Sequence, residues 1–103
     1  MKDLLRISPP ITAVFAASDL MAVGALQAIK ESGSRVPEDI AVVGFDDIPL
    51  AKLTSPSLTT VAQFQDLMGQ RAAEMLFARL NGTAPEAGRR EEMPYELIVR
   101  EST

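Results

Sequence analysis

Cysteine and histidine are both missing from this chain of 103 residues. Without thiols there is no disulfide and no cysteine nucleophile, and without imidazole there are few of the usual zinc ligands and no histidine acid or base. Most hydrolase schemes leave with them, and no enzyme activity is expected. Cationic charge is also short: ten Lys and Arg stand against fourteen Asp and Glu, a formal net charge of -4. That balance repels phosphate backbones and argues against a stand-alone DNA binder. Long apolar runs are absent too. The longest, Ile11 through Ala17, is seven residues and includes Thr12, whereas a membrane-spanning helix needs roughly 20. No membrane partner is expected. Lys2 and Arg6 ahead of that run imitate a signal peptide, but Asp3 and the stiff Pro9-Pro10 pair interrupt the pattern, so a cytoplasmic location is expected.

What remains is ordinary globular material, 47% hydrophobic and 23% charged. A domain near 100 residues buries only about 60 to 70% of the surface its unfolded chain exposes, so one core is possible with little slack. Residues 12–17 (TAVFAA) form a short apolar run between turn signals, the pattern of a strand buried on both faces of a parallel sheet. Ser18 and Asp19 follow, both suited to cap a helix starting near Leu20. In that helix Ala22, Leu26 and Ile29 recur at helical spacing, and Gly33 ends it. Residues 40–45 (IAVVGF) then read as a second buried strand, completing a strand-helix-strand unit. Such units place their strands parallel.

Beyond Asp46-Asp47, residues 48–53 suit one helical turn, and residues 58–61 a brief extended stretch. A second amphipathic helix is predicted from Gln65 or Asp66 to Leu80, with Leu67, Met68, Ala72, Met75, Leu76 and Leu80 on one side and Asn81-Gly82 at its end. Residues 83–92 are polar and read as loop. Residues 95–100 (YELIVR) form a last strand near a sheet edge. Arg89, Arg90, Glu91 and Glu92 read as a solvated loop whose charges cancel, and Arg100 stands alone in the pattern.

In parallel α/β folds, ligands sit beyond the carboxyl ends of the strands. Two places qualify here: Ser18-Asp19 after the first strand and Phe45-Asp46-Asp47 after the second. A hydroxyl, an aromatic ring and a carboxylate at one rim suit a sugar or nucleoside, since the carboxylate accepts from ligand hydroxyls while the ring covers an apolar face. Plainer readings stand beside this one, with Ser18 or Asp19 as helix caps and Asp46-Asp47 as turn formers. The two carboxylates could also hold Mg²⁺ or accept a phosphoryl group, although no third acidic ligand or glycine-rich phosphate loop accompanies them. No resident cofactor is expected.

The run PPITAVFAASDLMAVGALQAIKESGSRVPEDIAVVGFDDIPLAKLTSPSLTTVAQ, followed by MGQRAAEML, resembles the C-terminal portion of the lactose/galactose-repressor family of bacterial transcription regulators. The resemblance extends from about Pro10 to Thr103. It implies a fragment of a three-layer, parallel-sheet α/β sensor with the periplasmic-binding-protein-like fold: strand, helix and strand, followed by a helix and a final strand. In that family an effector binds between two lobes and changes operator affinity through a helix-turn-helix headpiece.

Carried over residue by residue, Asp46 matches the effector-binding aspartate, Ser18 a polar cleft position that is often Asn, and Phe45 an aromatic beside the aspartate. Val23 on the first helix and Leu50, Leu53 and Thr54 match surfaces through which two sensors dimerise. Residues 60–63 and the surroundings of Pro94 match crossovers between lobes. The resemblance thus implies a sugar-like effector, a homodimer, and operator DNA reached only through a headpiece that lies outside this sequence. It assigns residues 11–60 and 95–103 to the C-terminal lobe, and residues 64–93 to a segment that packs on the other lobe. The same lobes occur in solute-binding proteins of the periplasmic type, which is the alternative reading. Burying Leu67, Met68, Met75 and Leu76 is worth about 1.5 to 3 kcal/mol each. The second helix is therefore expected to fold onto the chain's own sheet or pair with another chain, as a dimer or by exchange of elements.

Overall fold

Val14 and Val42 lie side by side in neighbouring strands, and the architecture grows from that pairing. The computed structural model describes residues 1–103. Strands β1 (Ala13–Phe15), β2 (Ala41–Phe45), β3 (Thr59–Ala62) and β4 (Glu96–Ile98) form one sheet in the order β1-β2-β3-β4. The first three run parallel, with Phe15 opposite Val43 and Val43 opposite Thr59, while β4 closes the edge antiparallel to β3. Helix α1 (Asp19–Glu31) connects β1 to β2, and a 3-10 turn (Pro49–Lys52) lies between β2 and β3.

Two compact units divide the chain. The first comprises Met1–Ala62 with Glu96–Thr103, and the second Gln63–Tyr95. In the first unit, Ala22, Leu26 and Ile29 recur at helical spacing on α1 and bury against Val42, Ile40 and Leu58. Ala51 of the 3-10 turn joins the same cluster, and Met1, Leu5, Ile11, Val14 and Val36 pack around it. Ile29, Val42 and Leu58 are fully buried, each contributing about 1.5 to 3 kcal/mol.

The two faces of the sheet are covered unequally along β2, whereas Thr59 and Thr60 of β3, on opposite faces, are both buried. Along β2, Val42 and Gly44 are buried while Ala41, Val43 and Phe45 are half-buried, the period-two alternation of a strand. Strand β1 was expected to be buried on both faces, and here the structure corrects the sequence. It is a three-residue edge strand whose Val14 reaches the core while Phe15 is 64% exposed. An apolar run of this length cannot reveal whether a second layer exists to cover it.

The second unit is built on α2 (Gln65–Leu80), which starts after Phe64 in the left-handed region (φ 53°) and ends at Asn81, with Gly82 at φ 72°. Arg71 ties the helix to its own loop, its Nε donating to Glu91 at 2.7 Å while its Nη1 donates to Glu74 at 2.6 Å. Arg79 donates to the carbonyl of Pro85 at 2.9 Å. Residues 83–92 form the expected loop. None of the α2 residues is buried, although Leu67, Met68, Met75 and Leu76 lie on it; Leu76 is 58% exposed. The stripe, expected to be covered by the chain's own sheet or by another chain, finds no cover within the second unit itself.

Candidate functional site

Because β1 and β2 are parallel neighbours, the segments leaving their carboxyl ends emerge at one rim of the sheet. Ser18 and Asp19 follow β1, and Asp46 and Asp47 follow β2. The last aromatic residues of the two strands meet there, Phe15 and Phe45 standing edge to face with ring centroids 6.4 Å apart. Such a pair is worth about 0.5 to 1.5 kcal/mol beyond its buried area.

Ser18 is the N-cap of α1. Its backbone is extended and its Oγ accepts from the Met21 N–H at 3.3 Å, satisfying one of the free donors of the first turn. Asp19 does something else. Its carboxylate is fully buried and does not cap its own helix; Oδ2 accepts from the Ile48 N–H at 2.8 Å, and Oδ1 from the Thr60 hydroxyl at 2.5 Å. Buried charge is tolerated only when hydrogen bonds replace water, and both oxygens have them.

Gly44 makes room for this arrangement. A Cβ at that position would overlap the Asp19 carboxylate and lie 2.9 Å from Leu58 Cδ2, so only glycine lets the helix N-terminus approach β2 so closely.

The turn after β2 is unusual. Asp46 and Asp47 both have positive φ, 113° and 51°, a state that costs of order 1 to 3 kcal/mol per non-glycine residue and persists only where the surroundings impose it. Aspartate is among the residues that tolerate it best. Each residue of the turn is fastened: Asp46 N–H donates to Val61 O at 2.9 Å, Asp47 N–H to Thr60 Oγ1 at 3.4 Å, and Ile48 N–H to Asp19. Arg100 completes the set, giving Nη2 to Asp47 Oδ1 at 2.6 Å and Nη1 to Leu58 O at 2.8 Å.

The two aspartates thus part company. Asp47 is an ion-pair partner, with both side chains largely shielded, which removes one of the two carboxylates from the Mg²⁺ reading. Asp46 and Phe45 are half-buried at the rim. Arg100, uninterpretable in one dimension, finds Asp47 53 positions away in sequence. Thr60 and Asp19 were likewise hidden, since a threonine in a strand and an aspartate at a helix start have common local explanations.

Away from the rim, Glu101 accepts from both the N–H and the hydroxyl of Ser57 at 2.9 Å, and these bonds lower its pKa from the ordinary glutamate value. Val23 and Thr54 line a groove of about 260 Å³ together with Gln27, Lys30 and Pro56. Leu50 and Leu53 lie beside it in sequence, 39% and 78% exposed. The four residues matched to a dimer surface therefore belong to α1 and the 3-10 turn region. No group of three or more acidic side chains is arranged to hold a metal ion.

Comparison with known proteins gives one family. Residues 1–103 match the periplasmic binding protein-like domain. The transcriptional regulator CelR of Thermobifida fusca is 46% identical over 102 residues, covering 99% of this chain and 30% of that protein. The repressor CytR of Escherichia coli is 44% identical over 103 residues, again 30% of its length. This chain therefore spans under a third of these relatives.

Among solved structures, a CelR–cellobiose complex superposes with a TM-score of 0.92 at 45% identity, covering 99% of this chain and 31% of that one. A LacI-family regulator from Arthrobacter, in complex with lactose, gives 0.86 at 41% identity, with 99% and 38% covered.

Proposed function

This chain belongs to the periplasmic binding protein-like domain family, in its lactose/galactose-repressor branch, and from that premise we propose that it is the effector-sensing and dimerising part of a transcription repressor. The effector is a small polyhydroxylated molecule, a sugar or a related metabolite. One observation carries this reading: parallel pairing of β1 and β2 delivers Ser18, Phe45 and Asp46 to one rim.

The chemistry follows from residue type. The Asp46 carboxylate accepts from ligand hydroxyls, the Ser18 hydroxyl both donates and accepts, and the Phe45 ring covers an apolar sugar face. The relatives solved with cellobiose and lactose support the sugar class. None of this requires catalysis, and the relatives are regulators.

In the intact protein, a ligand that prefers one lobe arrangement shifts the population of the dimer, and operator affinity follows from that shift. Operator DNA would be met through a headpiece outside this sequence, since the charge of -4 disfavours direct contact. The dimer would form through Val23, Leu50, Leu53 and Thr54. A helix-turn-helix encoded upstream in the parent gene would favour this reading over a solute-binding protein.

Calorimetric titration of the intact protein with a panel that includes cellobiose and lactose tests the site. Asp46→Ala is expected to lower affinity at least about ten-fold, the scale for losing a hydrogen bond to a charged group, without loss of folding. Unchanged affinity would remove Asp46 from the site.

A further inference from the structure

The Asp46–Asp47 turn combines two positive φ values with a set of fastenings that all come from elsewhere in the fold. Of these, the Asp19 carboxylate occupies the centre. It is fully buried at the start of α1, it holds the Ile48 N–H through Oδ2, and through Oδ1 it holds the Thr60 hydroxyl. That hydroxyl oxygen in turn accepts from the Asp47 N–H. Both amides that follow Asp46 are thus anchored, one directly and one through Thr60. Gly44 is the accommodation that lets a helix N-terminus reach this point.

We propose that Asp19, acting through Thr60, is the positioning residue that aims the effector carboxylate: the buried Asp19–Thr60 pair imposes the left-handed turn and so sets the direction in which Asp46 leaves the sheet. Asp19 itself touches no ligand, because it is sealed from solvent. Its position on α1 adds a second consequence. The same helix carries Val23, and Ile48 leads directly into the 3-10 turn that carries Leu50. Asp19 is thus bonded to the segment that joins the Asp46 turn to the proposed dimer surface. This assignment rests on the reading of Asp46 as a ligand group, and the test separates the two.

Three variants of the chain are compared by NMR: Asp19→Asn, which turns one acceptor into a donor, Thr60→Val, which removes the hydroxyl at constant shape, and Thr60→Ser, which restores it. In Asp19→Asn the Ile48 amide is expected to exchange at least about ten-fold faster, as for the loss of a bond to a charged acceptor. In both Asp19→Asn and Thr60→Val, the Cα and Cβ shifts of Asp46 and Asp47 are expected to move toward ordinary backbone values. Amides in the middle of α1 are expected to hold, and Thr60→Ser to return the wild-type spectrum.

An unchanged turn in Thr60→Val, or equal acceleration of every amide in the first unit, would overturn the proposal; should Asp19→Asn not fold, the Thr60 pair decides alone. Titration of the intact protein with cellobiose and lactose is the second arm. Where wild type binds either sugar, Thr60→Val is expected to weaken it while Thr60→Ser does not. Binding that survives Asp46→Ala would overturn the reading of Asp46, yet leave the turn's NMR signature to judge Asp19 independently.

Discussion

At the scale of single residues, the instructive contrast lies between contacts close in sequence and contacts far apart. Arg35 and Asp39 form a local pair: Arg35 gives Nε and Nη2 to the carboxylate at 2.9 and 2.8 Å, and its backbone N–H adds a third bond at 2.8 Å. The guanidinium bonds, with the backbone bond second, hold Asp39 down at about 2 against an ordinary 3.8. Protons bind the unfolded chain more readily than the folded one here, so the pair's contribution to stability is present above pH 3.8 and disappears as pH falls through about 2. A carboxyl NMR titration is expected to place the Asp39 midpoint near 2, with Arg35→Gln returning it most of the way; a wild-type midpoint near 3.8 would show the pair is not formed. The Asp47–Arg100 pair is chemically similar but joins residues 53 positions apart, and nothing in the local sequence announces it. The same distance hides the role of Asp19, which a helix start explains away as a cap.

Among the elements, the tail after β4 shows how a sheet is finished where its strands diverge. Strands β2 and β3 pair from Val43 and Thr59 onward. Immediately before that point Ser102 bridges them: its Oγ accepts from Thr59 N–H at 2.8 Å and donates to Val42 O at 2.6 Å, while its own carbonyl accepts from Val42 N–H at 2.8 Å. Ser102 is fully buried, so Ser102→Ala leaves two buried backbone groups short of a partner. A loss of about 2 to 3 kcal/mol is expected, read from the urea midpoint at unchanged slope. A loss below about 0.5 kcal/mol, the range of an ordinary surface change, would mean water replaces the hydroxyl without cost. Helices α1 and α2 and strand β2 were readable in advance, since periodicity, caps and glycine stops are local properties. The burial of β1 was not, because a strand's second face depends on what another part of the chain lays over it.

For the whole molecule, the exposed apolar surface sets the expectation. Leu67, Leu76 and Phe77 on α2 are 45%, 58% and 61% exposed, and Leu53 beside the groove 78%. Large apolar side chains exposed in such numbers mark places where another surface belongs. Sedimentation over a range of concentrations is expected to show self-association of this chain, weakened by Leu76→Glu or Leu53→Glu according to which surface is used. A monomer at every concentration would exclude both.

Composition and periodicity alone indicated both α-helices and all four strands, but not the 3-10 turn at Leu4–Arg6. The absence of thiol and imidazole, the acidic balance and the strand-helix-strand spacing are properties of the chain that no folding can alter. Even Ser18 and Asp46 could be assigned to one rim, because parallel strands joined by a helix share their carboxyl ends. The fold then distinguished residues that look alike in one dimension: Asp46 is half-buried after β2, Asp47 answers Arg100, and Asp19 is fully buried against Ile48 and Thr60. Those roles depend on hydrogen bonds between residues 29 to 53 positions apart, and such pairings exist only once the sheet has brought the segments together.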